Sequence, residues 1–386
     1  MKTFSTGLAL ASLAASAAAV PALVERNNDN KYQGTPGGTV KFGNGPPSTI
    51  KDPTGNNTIK NPVYRAISEF DYASFNLGLY QEWIELDLFN YGLKRFSDAE
   101  WEEAGVTADY RSLLQFMANQ ETGHAQLLTN ILGPGAAKQC TYNYSTAFNT
   151  VREYNDFNQQ LTRWGESGVW GFLTLLNSRP AAHLLSQSIA TEARQQMVFR
   201  QFAGASAMPV YFEPGIPQAW SWTLLAPYIQ SCPKENPRVE WSNFPKLNVD
   251  NNPTLRYEGS RAAVSTNITQ LVNTGETIYF SWEDPGKKVG PDLSYTTSKN
   301  GGTPTHALWV HQINATLAPL TITGPNSGYA KLPAGDVYDT EIAHTGPAIN
   351  GTGFVALVDS ADTYTVYNLS LVIPHMVAGP AIFQSG

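Results

Sequence analysis

Between Leu114 and Ile131 the apolar residues Leu114, Met117, Leu128 and Ile131 recur at steps of three and four, with Glu121 and His124 in the same stripe. This spacing predicts a helix whose seam faces an interior. Two ionisable groups one turn apart are costly to bury unless they pair or bind a metal. The same steps run through Phe75, Leu79, Glu82, Leu86, Phe89 and Leu93, which puts Glu82 in a seam and leaves Glu85 and Asp87 off it. A third helix, to about Asn177, carries Glu166, Val169, Leu173 and Leu176 on one face, although its first half is polar. A fourth places Leu185, Ser188, Glu192, Gln195, Phe199 and Phe202 in line.

Punctuation agrees with this division. Pro62 suits the first turn of the first helix, and Ser97-Asp98-Ala99-Glu100 reads as a capping box opening a short helix that Gly105 ends. Thr107 can cap the next helix, and Gly133-Pro134-Gly135 stops it. Arg179-Pro180 separates the third helix from the fourth, and a long crossover containing Cys140 separates the second from the third. Pro and aromatic residues then crowd the chain from Phe202 to Trp241, where Gln218 to Tyr228 suits a short helix closing the bundle end.

After about Asn248 the period becomes two. Runs at Ala263–Ile268, Thr277–Trp282, Ala307–Ile313, Leu320–Thr323, Phe354–Leu357 and Tyr364–Ile373 are broken by Gly, Pro, Asn and Asp. They predict an antiparallel β-sandwich of about seven strands. His306, His311, His344 and His375 lie there without a tight ligand spacing.

Four helices with inward carboxylates and a long crossover resemble the ferritin-like superfamily, over roughly residues 61–202. Members of that superfamily supply one Glu from each of two helices and Glu-x-x-His from each of the other two. The resemblance implies Glu82, Glu121, His124, Glu166 and Glu192 as candidate metal ligands, with Gln195 standing where a second His is expected. The wording NQETGHAQLL, TEARQQMVFRQF and PQAWSWTLLAPYIQSCP resembles the secreted fungal stress-response and late-sexual-development proteins of that superfamily.

Four carboxylates would balance two divalent ions, so iron or manganese is electrostatically admissible. The amide at Gln195 is a weak, uncharged ligand where imidazole would be a good one. That favours one tightly held ion, or a decayed site, over an efficient di-iron centre. The alternative is no metal at all, with the buried carboxylates bonding one another, His124, Gln195 and nearby Tyr or Trp groups.

The chain has 386 residues, enough for more than one core. Its start, with Lys2, the apolar run Leu8 to Val20 and small residues from Ser16 to Ala19, reads as a signal peptide over residues 1–19. A Gly-, Pro- and Asn-rich arm is expected over 20–60, the bundle with its closing segment over 61–232, and the sandwich over 249–386. No later run is apolar enough to span a bilayer, and a net charge of −7 with mixed signs gives no basic patch for nucleic acid. Export makes a Cys140–Cys232 disulfide the expected state of the two cysteines, with two free buried thiols as the alternative. The sequons at Asn56, Asn143, Asn267, Asn314, Asn350 and Asn368 are compatible with glycosylation. Two functions stay open: metal-dependent redox chemistry in the bundle, or a non-catalytic cell-surface or wall-associated scaffold whose sandwich binds a partner.

Overall fold

The computed structural model describes residues 64–253, 261–266, 270–333 and 351–386. The signal peptide, the arm, Pro62 and the sequons at Asn56, Asn267 and Asn350 lie outside the described residues.

The helical part consists of α1 (Glu69–Arg95), α2 (Asp98–Glu103), α3 (Ala108–Leu132), α4 (Val151–Leu173), α5 (Arg179–Phe202) and α6 (Gln218–Leu225). Side-chain caps set several of the starts. Ser68 accepts the Asp71 amide at α1, and Ser97 with Glu100 and Thr150 with Glu153 form capping boxes at α2 and α4. The long helices α1, α3, α4 and α5 form the bundle, with α1 against α3 and α4 against α5 as its two main pairs.

The polar first half of α4 marks no solvent face. Asn155, Asp156, Asn158, Gln159, Thr162 and Arg163 are all buried. This helix packs on α1, α5 and α6 and also on the strands behind it. Gln159 donates to Gln384 at 3.1 Å, and Thr352 donates to Gln159 at 2.9 Å. A helix enclosed on every side needs no single apolar stripe, and its polar groups bond across the packing layers instead.

The closest packing on α4 is made by backbone. A Cβ on Gly171 would fall 1.8 Å from the Ile216 carbonyl oxygen, while the Ile216 amide donates to the Ser167 carbonyl at 2.9 Å. The obstacle is main chain pinned by its own hydrogen bond, so it cannot step aside. Gly171→Ala should therefore destabilise the fold by on the order of 3 kcal/mol in urea unfolding.

The strands are β1 (Thr141–Tyr142), β2 (Ile229–Ser231), β3 (Leu247–Val249), β4 (Thr277–Trp282), β5 (Lys288–Val289) and β6 (Tyr295–Thr296). They continue with β7 (His306–His311), β8 (Asn314–Pro319), β9 (Thr321–Gly324), β10 (Ser327–Lys331), β11 (Thr352–Val358) and β12 (Met376–Gln384). Two four-stranded antiparallel sheets result, ordered β3-β4-β10-β9 and β12-β11-β7-β8. The second lies between the bundle and the first. Its Leu308, Val310, Phe354, Ala356 and Met376 join the bundle core, while Ala307, Trp309, Val355, Leu357 and Phe383 fill the space between the sheets. Burial on both faces explains why Gly353 to Val358 reads as an unbroken apolar run.

Two expected strands are corrected. Residues 263–266 form only an isolated bridge from Ser265 to Ser206, and the rest of Ala263–Ile268 lies outside the described residues. Tyr364–Ile373 is not extended: residues Leu369–His375 form a 3-10 helix, and the strand is the following segment β12. Leu371 and Tyr367 are exposed while Leu369 and Val372 are buried, a spacing of three that the alternation rule mistook for period two. The segment rich in Trp packs as the closing layer. Trp220 and Trp222 are fully buried, with Trp220 Nε1–H donating to Met376 Sδ at 3.3 Å and Trp222 edge-on to Tyr295.

Cys140 and Cys232 form a disulfide, with Cα atoms 4.3 Å apart. It sits beside the β1–β2 pairing and ties the crossover between α3 and α4 to the segment after α6. No helix among the described residues is long and apolar enough to cross a membrane.

Candidate metal centre

Midway along the bundle, α1 contributes Glu82, α3 contributes Glu121 and His124, and α5 contributes Glu192. All four are buried. His124 Nδ1 lies 3.2 Å from Glu121 Oε2, 3.3 Å from Glu82 Oε2 and 3.8 Å from Glu192 Oε1. The other ring nitrogen meets a group the seams did not single out: Nε2 is 2.9 Å from Thr191 Oγ1.

Thr191 fixes which nitrogen does what. Its hydroxyl proton is used on the Ser188 carbonyl at 2.7 Å, so toward the ring it can only accept, and Nε2 must carry a hydrogen. Nδ1 is then the position that faces the carboxylates, either protonated or with a free lone pair. Burial alone would lower the His124 pKa, but the hydrogen bonds with Glu121 and Glu82 overcome it and hold the imidazolium well above its usual range. A proton on Nδ1 and a metal ion at the same place are alternatives.

Gln195 bonds a carboxylate, as the metal-free alternative expects of it. Its Nε2 donates to Glu121 Oε1, at closer than ordinary hydrogen-bond range, and to Gln120 Oε1 at 3.2 Å. It restrains Glu121, and Thr191 is the α5 group that meets His124.

The helical repeat leaves Glu85 off the seam, but the structure turns it inward. It is fully buried, and Gln81 Nε2 donates to its Oε1 at 2.8 Å. Gln81 Oε1 accepts from Trp164 Nε1 at 2.9 Å. The helix α1 packs on both α3 and α4, so its buried arc is wider than the stripe that meets either one. Gly165 makes room for this contact, since a Cβ there would sit 2.6 Å from Glu85 Oε1. The pairing Gln81-x-x-x-Glu85 was the signal available in the sequence. Asp87 is half-buried and accepts from the Tyr144 hydroxyl at 2.9 Å, as an off-seam residue should.

Glu166 is fully buried but faces a different partner. Its Oε1 is 3.7 Å from Arg163 Nη1, one turn earlier on α4. Burial pushes Glu166 up to about 7 against the pull of Arg163. Burial likewise pushes Glu82 up to about 7 against the pull of His124, and holds Glu85 and Glu192 well above the usual carboxylate range.

Glu82, Glu121 and His124 each offer one ligand atom, and these atoms lie within 4.8 Å of one another. Glu82 Oε2 is buried with no polar partner beyond the His124 ring nitrogen 3.3 Å away. Carboxylate oxygens with one imidazole nitrogen, oriented by a hydrogen bond on its far side, are a donor set that fits a divalent transition metal. Among the described residues no other group of three such side chains converges in this way. In the sheets, His311 is buried beside Phe383 and His375 pairs with Asp359 at 2.9 Å.

Residues 70–205 match the family model described as a ferritin-like domain. The chain is also 50% identical over 339 residues to the protein named rds1 of Schizosaccharomyces pombe, covering 84% of this chain and 83% of that one. The helix order, the inward carboxylates and this similarity agree: the chain belongs to the ferritin-like family, alongside that fungal relative.

Proposed function

We propose that this is an exported, stress- or development-associated protein that holds iron or manganese in its bundle, with Glu82, Glu121, His124 and Glu192 around the ion. One observation carries the reading: His124 Nδ1 points at three buried carboxylates while Thr191 occupies Nε2. A bound redox-active ion would supply one-electron chemistry toward oxygen or peroxide. The carboxylates neutralise its charge, Thr191 keeps the imidazole lone pair aimed at it, and the surrounding helices exclude bulk water. Export rests on the signal-like first 19 residues, and wall or matrix association is compatible with the sequons at Asn143, Asn314 and Asn368 on the described surface.

Elemental analysis of protein recovered from its native export route tests this directly. The expected result is stoichiometric iron or manganese that dialysis against buffer does not remove. Thr191→Val keeps the shape but removes the acceptor for Nε2–H. It should weaken metal affinity by about 10–100-fold with little change in fold, as read by competitive chelator titration. Protein that is metal-free as isolated, and takes up no added iron or manganese, would leave a metal-free scaffold as the function.

A further inference from the structure

The α4 side of the bundle interior carries its own cation. Arg163 is 1% exposed in its side chain. Its Nη1 lies 3.7 Å from Glu166 Oε1, its Nη2 donates to Gln196 Oε1 at 2.8 Å, and it makes a tight ion pair with Glu213. Glu213 comes from the segment between α5 and α6, so the guanidinium is held from two directions. Glu166 has no hydrogen-bond partner on either oxygen, and Arg163 is the cation beside it.

Three features of this half of the site point the same way. Glu192 and Glu166 both lie outside the tight group of Glu82, Glu121 and His124. Glu192 Oε1 is 3.8 Å from His124 Nδ1, however, whereas the charged neighbour of Glu166 is Arg163, at 3.7 Å. The α5 position expected to offer a second imidazole is Gln195, whose amide nitrogen is spent on Glu121 and Gln120. The guanidinium beside Glu166 competes with any second cation that Glu166 would have to share, and both side chains are buried, where solvent screens little.

We infer that the centre is mononuclear, with the Arg163 guanidinium standing in for the second metal ion that the helix arrangement would otherwise accommodate. This rests on the metal-binding reading above and narrows it to one ion per chain. Glu166 then shares Arg163 with Glu213, its closer partner, and lies outside the coordination sphere. Arg163 acts as a positioning residue: it fixes Glu166 and sets the charge of the site without touching the ion.

Manganese(II) titration of the full-length, demetallated protein, followed by electron paramagnetic resonance, tests the number of ions. The expected result is one tight ion per chain, with the hyperfine sextet of an isolated manganese. Two ions with an exchange-coupled spectrum would overturn the inference while leaving metal binding intact. No binding would overturn both, and the three results cannot be confused.

Two variants test the assignment of Glu166 and Arg163. Glu166→Gln should leave manganese affinity within about 3-fold of the parent, whereas loss of a true ligand should exceed the 10–100-fold typical of supporting groups. A drop beyond about 100-fold therefore overturns the inference. The double variant Arg163→Gln with Glu213→Gln removes the cation together with its partner anion. Its stoichiometry should rise toward two ions, and a folded double variant that still holds one overturns the stand-in role. If that variant does not fold, the parent spectrum and Glu166→Gln decide the matter alone.

Discussion

Replacing Cys140 and Cys232 together by serine should lower the free energy of unfolding by about 4–5 kcal/mol, the chain-entropy value for a loop of this length. The bond joins residues 92 apart in sequence, so in the unfolded chain it closes a loop that includes all of α4 and α5. Its removal lets the crossover and the segment after α6 separate, and β1–β2, a two-residue strand on a three-residue one, is too short to hold them. Urea unfolding of the oxidised parent and the double variant measures the difference. A loss below about 1 kcal/mol would mean that the chain without the bond keeps these segments together by other contacts.

The metal-free protein should be more stable at pH 5 than at pH 8, which is unusual for a protein rich in carboxylates. The reason lies in the direction of the shifts. Glu82 titrates at 4.5 in the unfolded chain and is pushed up to about 7 when folded. Between these values the folded state binds the extra proton, so stability is fully present below 4.5 and is lost as pH rises through 7. The shift corresponds to roughly 3 kcal/mol for Glu82 alone, at about 1.4 kcal/mol per unit. Glu166 moves the same way over the same window, and Glu85 and Glu192 extend it upward. His124 has the same sign, because its raised imidazolium adds stability that falls away above its unfolded value of 6.5. The buried His311, pushed down to about 3, opposes the trend below 6.5 and offsets part of it.

Adding manganese at pH 8 should reverse this loss, since a divalent ion would take the place of the Nδ1 proton and offset two of the three carboxylate charges of Glu82, Glu121 and Glu192. Melting temperatures at pH 5 and pH 8, each with and without metal, give the full comparison. Metal-free protein that gains stability between pH 5 and pH 8 would contradict the electrostatics of the cluster. A metal effect as large at pH 5 as at pH 8 would contradict competition between proton and ion.

Much of this molecule was legible in the sequence because its signals are local. The seams through Glu82, Glu121 and His124, and Glu192 needed only the helical repeat, and each of these residues is buried. The capping box at Ser97 is likewise a matter of four consecutive residues. The apolar run in β11 was visible for the same reason, although alternation could not say that both of its faces would be covered.

What only the tertiary structure decided are the features that depend on a helix or strand having more than one neighbour. Glu85 is off the stripe that meets α3 but inside the arc that also meets α4, and no repeat within α1 reveals that second contact. The polar start of α4 is buried because a sheet lies behind it, and Gln159 finds its partners in Thr352 and Gln384, almost two hundred residues or more away. Thr191 orients His124, and Arg163 takes Glu166, through side-chain geometry across the bundle. Periodicity states which residues turn inward. Which of them meet, and whether a carboxylate faces an imidazole or a guanidinium, is set by how the helices dock, because hydrogen bonds and ion pairs depend on ångströms that the repeat does not encode.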